Sequence, residues 1–219
     1  MTSGFPGSPR TVRAGLVMLD AKSGALQRVI VLQYTPDALS RTLQAQGASG
    51  DAGDRLDALR LKAQPVETIK IDAEIDAADQ LETPDQHDRT VRLGINPELS
   101  TLETAIFPRA DAVQANITLA GTGALEITPV QAPLALFVWS ENRIVPVRIT
   151  DLSVTEEAFD PNLNPLRAKV SLSLRVLTVN DLPLGHRGAG IYLAYHRARE
   201  QMAAAVPGAL TQLGIRRIP

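Results

Sequence analysis

Residues 166–178 read LRAKVSLSLRVLT. Leu166, Ala168, Val170, Leu172, Leu174 and Val176 share one parity, and Arg167, Lys169, Ser171, Ser173 and Arg175 share the other. A period of two sustained over this length describes a long antiparallel-type strand with one buried and one polar face. Residues 66–77, VETIKIDAEIDA, repeat the pattern. Ile69, Ile71, Ala73, Ile75 and Ala77 face one way; Thr68, Lys70, Asp72, Glu74 and Asp76 face the other.

Shorter strands surround these two. Residues 12–19 (VRAGLVML) and 27–34 (QRVIVLQY) flank a loop containing Lys22, Ser23 and Gly24, which is a hairpin signature. The unbroken apolar run Val29–Leu32 predicts a strand covered on both faces, and Pro36 ends it. Residues 133–139 (PLALFVW) pass through a turn at Ser140–Arg143 into 143–159 (RIVPVRITDLSVTEEAF). There the apolar parity of Val145, Val147 and Ile149 switches to Leu152 and Val154, which predicts a β-bulge near Thr150–Asp151. Pro146 predicts an edge position or an irregular start.

Two segments read as helices. In residues 96–107, Asn96 serves as a cap, Pro97 suits the first turn, and Leu99, Leu102, Ala105 and Ile106 recur at helical spacing. In residues 191–204, Ile191, Tyr195, Ala198 and Met202 line one side. Residues 109–132 read as a loop or weak hairpin. Tyr34, Phe107 and Trp139 are expected in the core. The resulting fold class is mainly β with α (α+β): an antiparallel β-barrel or sandwich with one short internal helix and a C-terminal helix. Residues 1–11 read as a flexible leader, 12–204 as the barrel domain, and 205–219 as a C-terminal extension ending in the basic GIRRIP.

The search for chemistry returns no site. A net charge of -2 offers no nucleic-acid footprint, and the absence of cysteine removes thiolate chemistry, disulfides and cysteine-rich zinc sites. His87, His186 and His196 have no metal-ligand spacing. Asp85, His87 and Asp88 are of metal-binding type, but read as a solvated loop. No Gly-x-Ser-x-Gly elbow occurs, and the glycine-rich stretch 47–54 lacks the Lys-Ser/Thr ending of a phosphate loop. Not an enzyme, and no catalytic residue, metal or cofactor, is the expectation. MTSGFPGSPR has no secretory pattern, and no run approaches the roughly 20 apolar residues of a membrane helix. Cytoplasmic synthesis and assembly without direct membrane insertion follow as expectations.

Residues 157–165, Glu-Ala-Phe-Asp-Pro-Asn-Leu-Asn-Pro, run into the alternating strand 166–178. With residues 143–178 as a whole, this resembles the tube-type protein of extracellular contractile injection systems, which are phage-tail-like particles. VLQYTPDALSRTL (31–43), VETIKIDAEIDAADQLE (66–82), NPELSTLETAIFP (96–108) and PLALFVW (133–139) resemble further pieces of that family in the same order. The resemblance spans residues from about 27 to about 204.

It implies a tail-tube fold and a structural role. Six copies would form a ring in the baseplate hub, between inner tube and spike, in a particle assembled in the cytoplasm and then released. Implied partners are copies of itself, the inner tube or a tube-initiator protein, the spike protein and baseplate components. Many relatives carry a LysM module after this domain, and too few residues follow the last helix here for one. Within this frame Phe159, Asp160, Asn162, Leu163, Asn164 and Pro165, stiffened by two prolines, are expected at a subunit interface. Lys70, Asp72, Glu74 and Asp76 are expected to border a channel. A rigid strand connection and a solvent-facing strand remain the alternative readings of these two groups. For the whole chain the alternatives are a stand-alone β-barrel binding or adaptor module, or a hydrolase with carboxylates in the barrel mouth.

Overall fold

A computed structural model of the chain describes residues 14–20, 23–32, 36, 38–47, 61–122, 132–206 and 208–218. Seven strands form one antiparallel sheet in the order β2-β1-β5-β6-β7-β4-β3. They are β1 (Gly15–Leu19), β2 (Leu26–Val31), β3 (Leu39–Gly47), β4 (Leu61–Asp76), β5 (Leu134–Ser140), β6 (Arg143–Phe159) and β7 (Pro165–Val176). The helices are α1 (Ala78–Leu81), α2 (Asp88–Leu93), α3 (Asn96–Glu103), α4 (Ala110–Gly121) and α5 (Arg187–Ala204). The mainly β, α+β class read from the alternation holds.

β7 lies between β4 and β6, and its parity organises both neighbours. Ala168, Val170, Leu172 and Leu174 pair with Ile75, Ala73, Ile71 and Ile69 on β4, and all of these are buried. On the other side Val176, Leu174, Leu172 and Val170 pair with Val147, Ile149, Leu152 and Val154 of β6. The register shifts between Ile149 and Asp151, so the bulge falls at Thr150, where the parity switch located it. Val145 and Phe137 pair across β5 and β6, and Phe137 pairs with Leu16 of β1. These residues join one core cluster, which Ile95, Leu99 and Leu102 of the α3 segment enter from above the sheet.

The sheet is curled. Leu32 still donates to the Ala14 carbonyl at 2.9 Å, so only the span from Leu32 to Leu39 is free to carry the chain from one outermost strand to the other. Seven steps of extended chain reach at most about 25 Å. Six inter-strand steps of a flat sheet would need about 29 Å. The two outermost strands must therefore be drawn toward each other. Curling stops short of closure: no β2–β3 ladder exists among the described residues, so the expected barrel is an open, curved sheet. The reason lies partly in β6. It pairs with β5 only from Arg143 to Val147, then follows β7 alone to Phe159.

α5 lies across the strand ends. Tyr192 and Tyr195 enter the main core, while Ile191 packs on a second cluster, Leu19, Leu134 and Leu136, on the opposite face. Four bonds tie the helix down. Arg187 donates to the Gly24 carbonyl (2.9 Å), Tyr192 to Gln64 Oε1 (3.1 Å), and Arg199 to Glu67 Oε2 (3.3 Å). Arg41 Nη2 reaches the Tyr195 hydroxyl at 3.1 Å.

Several expectations are corrected. α1, α2 and α4 join α3 between β4 and β5, so there is more than the one internal helix; α4 occupies residues expected as loop or hairpin, while 123–131 lie outside the described residues, as does Tyr34. Asn96 is the first helical residue of α3 instead of its cap. Phe107 is 69% exposed, because α3 ends four residues before it. Val29 and Val31 are about half exposed while Ile30 and Leu32 are buried, since β2 is outermost and one of its faces is uncovered. Pro146 is fully buried in a central strand. Its carbonyl accepts from Leu177 at 2.8 Å, so its missing N–H points at the place where the β7 ladder has already ended.

Gly94 joins α2 to α3 at φ 57°, and a Cβ there would lie 2.2 Å from the Pro165 carbonyl oxygen. Gly94→Ala is expected to cost about 2–3 kcal/mol by urea unfolding, from backbone strain plus displacement of β7. Gly185 has φ 79° with no atom within 4 Å of the built Cβ, so Gly185→Ala should cost only about 1–2 kcal/mol.

Candidate assembly surfaces

Four strands, β3-β4-β7-β6, share a face turned away from the core. Lys70, Asp72, Glu74 and Asp76 all lie on it, and the register sets them in rows with their neighbours. Asp76 faces Arg167, which faces Glu157; Glu74 faces Lys169; Asp72 faces Ser171, which faces Ser153. Ser40 and Thr42 of β3 extend the rows beside Lys70 and Thr68. Arg167 Nε bonds Asp76 (2.7 Å) and Glu74 (3.3 Å). Lys169 bonds Glu157 at 2.8 Å, and Ser171 donates to Asp72 at 2.6 Å. Chiefly through Asp76, the Arg167 guanidinium is held even more firmly charged than usual, and Glu157 raises the Lys169 ammonium in the same way. The acidic strand seen in the sequence is thus one half of a charge ladder, whose basic half is β7.

Among the described residues the layer has two unpaired edges. β3 pairs there only with β4. Beyond the Thr150 bulge, β6 pairs there only with β7. Unpaired strand edges present rows of N–H and C=O groups to another chain.

The segment after β6 combines a fixed base with an exposed tip. The Asp160 carboxylate accepts from the Asn162 amide (2.7 Å), the Asn164 amide (2.8 Å) and the Asn164 side chain (2.8 Å). Asn164 Nδ2 also donates to the Arg92 carbonyl at 3.2 Å, and Ile95 N donates to the Pro165 carbonyl at 2.9 Å. Pro165 is buried and Asn164 half-buried, whereas Phe159 is 49% and Leu163 78% exposed. Asn162 is exposed. Leu163 takes φ 64°, an uncommon conformation for a bulky side chain. The hydrogen bond from Asn164 is the main reason the Asp160 carboxyl sits below its usual 3.8.

Two features escaped the sequence reading. Glu67 shares the core parity of β4 and is buried. Arg41 Nε and Nη2 bond its Oε1 at 2.8 and 2.5 Å, and Arg199 takes Oε2 at 3.3 Å. A charged residue opening an otherwise apolar parity was its one available signal. The second is the cleft beside the β1–β2 turn, lined by Asp20, Ser23 and His186 among others. Ser23 Oγ donates to Asp20 at 2.8 Å, and His186 Nδ1 accepts from the Gly188 amide at 3.1 Å. A catalytic serine donates to histidine, whose other nitrogen donates to the acid. Here the serine goes to the acid directly and Nδ1 is spent on capping α5, so the residue types meet without triad wiring.

No family model matches the chain, and no curated protein does. Among solved structures it is similar to a chain in the tail of an empty gene transfer agent particle, with 12% identity over 75% of this chain and 90% of that one, at a TM-score of 0.28. A chain of the native gene transfer agent virion gives 13% identity over 74% and 90%, at a TM-score of 0.26. At scores this low neither comparison bears on what this chain does.

Glu67→Ala is expected to cost about 3 kcal/mol in chemical unfolding, because two arginines lose the anion that holds them. The Asp160 pKa is lowered in the folded state, so the bonds it makes are intact above about pH 4 and are lost as pH falls through the depressed value. The amide NMR shifts of Asn162 and Asn164 should titrate together with a midpoint below 3.8, and Asp160→Ala should abolish that titration.

Proposed function

We propose that the chain is a structural ring subunit of a contractile injection particle, most specifically of its baseplate hub, joining inner tube to spike. The observation that carries this reading is the β3-β4-β7-β6 layer: one face apolar and packed, the other wet and charge-paired, with edges on both sides that are unpaired among the described residues. The free edge of β3 and the free edge of distal β6 are different surfaces. Their pairing is heterologous, and heterologous contacts with the right rotation close into rings. Six copies, the number the family resemblance implies, would enclose a channel walled by Lys70, Asp72, Glu74, Asp76 and the basic residues of β7. Phe159 and Leu163 would present apolar anchors to an adjacent subunit or ring from the fixed Asp160–Pro165 base. The partners would be further copies, the tube or its initiator, and the spike. The cleft at Ser23 and His186 lacks triad wiring, which favours a structural role over hydrolysis.

Electron microscopy of the purified full chain, alone and with tube or spike partners, tests the reading. Closed rings are expected, and a particle that stays monomeric under all these conditions would support the adaptor alternative instead. Leu43 is exposed on the β3 edge strand. Leu43→Lys should remove the rings by blocking edge pairing, with circular dichroism showing the variant still folded.

A further inference from the structure

No described residue beyond α5 is buried. Every described residue from Gln201 to Ile218 is exposed. Met202, Val206, Leu210, Leu213, Ile215 and Ile218 are apolar, and Leu213 and Ile218 are at least 70% exposed. The segment still has local form, a 3₁₀ turn at Leu210–Leu213 followed by Gly214 at φ 73°. It ends in Arg216 and Arg217 and contains no acidic residue from 201 to 218. Neither arginine has an ion-pair partner among the described residues.

The opposite end of the sheet has the complementary chemistry. Gln64 and Glu67, in the first half of β4, hold α5, whereas Asp76 at its end leads into α1; from Glu67 to Asp76 is about 30 Å of strand. α1, the turn Pro84–Gln86 and α2 carry Asp79, Glu82, Asp85 and Asp88 against Arg89 and Arg92. Both arginines are engaged, Arg89 with Glu98 (2.7 Å) and Arg92 with Asp88 (3.3 Å). Asp79, Glu82 and Asp85 have no ion-pair partner among the described residues. Val91 and Leu93 are exposed beside them.

We propose that residues 206–218 are a docking arm that engages the α1–α2 surface of a second copy, stacked head to tail along the strand direction. Arg216 and Arg217 meet Asp79, Glu82 and Asp85, and Leu213 and Ile218 cover Val91 and Leu93. A second copy is the occupant because the two unsatisfied surfaces match in charge and both are apolar. α5, from which the arm departs, is held by Gln64 and Glu67 at the end of β4 away from α1, and stacking along the strands brings unlike ends together. This rests on the ring reading and not on the placement of a single ring between tube and spike, since the arm would join one ring to a further ring of the same chain.

The absence of cysteine makes the test direct. Gln86→Cys and Gln212→Cys are placed in separate full-length proteins carrying tags of different size, mixed and mildly oxidised. The mixed 86–212 dimer should exceed either same-site dimer by at least about tenfold, as expected for a contact that raises effective concentration. Arg216→Glu with Arg217→Glu in the 212 partner should abolish that excess, and Asp79→Lys with Glu82→Lys in the 86 partner should restore it. Electron microscopy of the same samples separates the two ideas. Rings that form without a mixed-dimer excess, or with an excess indifferent to the charge reversal, overturn the arm and leave the ring standing. Absence of rings and of the mixed dimer together overturns both. Rings that stack in the full-length protein and remain single when residues 206–218 are removed support the arm.

Discussion

The structure depends on the parity of β7. Ala168, Val170, Leu172, Leu174 and Val176 are almost completely excluded from solvent, with β4 on one side and β6 on the other. Each larger side chain contributes about 1.5–3 kcal/mol on burial. A register slip of one residue would put Arg167, Lys169 and Arg175 into that core and every apolar partner into water. The neighbours inherit the choice, because Ile69, Ile71, Ala73 and Ile75 can be buried only opposite the apolar residues of β7. The charge rows on the outer face are the same constraint seen from the other side.

The Thr150 bulge then divides the labour of β6. Before it, the strand belongs to the sheet with β5, β1 and β2. After it, the strand accompanies β7 alone and keeps a free edge. Thr150 Oγ1 donates to the Ser173 carbonyl at 3.0 Å, so the extra residue bonds back to the adjacent strand. Pairing with β5 ends at Val147 because β5 begins at Leu134, and the bulge follows at Thr150, so β6 runs on beside β7 alone among the described residues.

Legibility in the sequence followed the contrast between neighbouring residues. β4, β7 and the bulge were readable because Ile, Val and Leu alternate there with charged residues or serine. β3 was not visible as a pattern, because LSRTLQAQG has few large apolar side chains, as suits a mostly exposed edge strand. α4 was missed for a related reason: with no residue buried, its sequence never had to encode a face. The candidate surfaces divide in the same way. That Lys70, Asp72, Glu74 and Asp76 share a face was legible from parity alone. Their partners Arg167 and Lys169 were not, because register between strands distant in sequence is written in the packing of the core. The Asp160–Pro165 segment announced a rigid connection. That its rigidity comes from Asp160 and from α2–α3, leaving Phe159, Pro161, Asn162 and Leu163 outward, required the fold.

The two polar systems have opposite energetic characters, and the difference bears on purpose. Glu67 is buried with two arginines, so its bonds are shielded from water and removing it leaves uncompensated charge. It locks α5 to β3 and β4, a structural task. The ladder of Asp76, Arg167, Glu157 and Lys169 is largely open to water, where each pair is worth about 0–1 kcal/mol. Such pairs add little to stability. What they do is cancel charge locally, row by row, on a long surface that shows no apolar patch among the described residues. A surface of this kind holds water and gives a passing chain little to adhere to. That suits the channel wall proposed above better than a surface that grips a partner. Exposed apolar side chains lie elsewhere on the molecule, Phe159 and Leu163 at the tip after β6 and Leu213, Ile215 and Ile218 after α5, and these are the surfaces that would grip a partner on the reading proposed above.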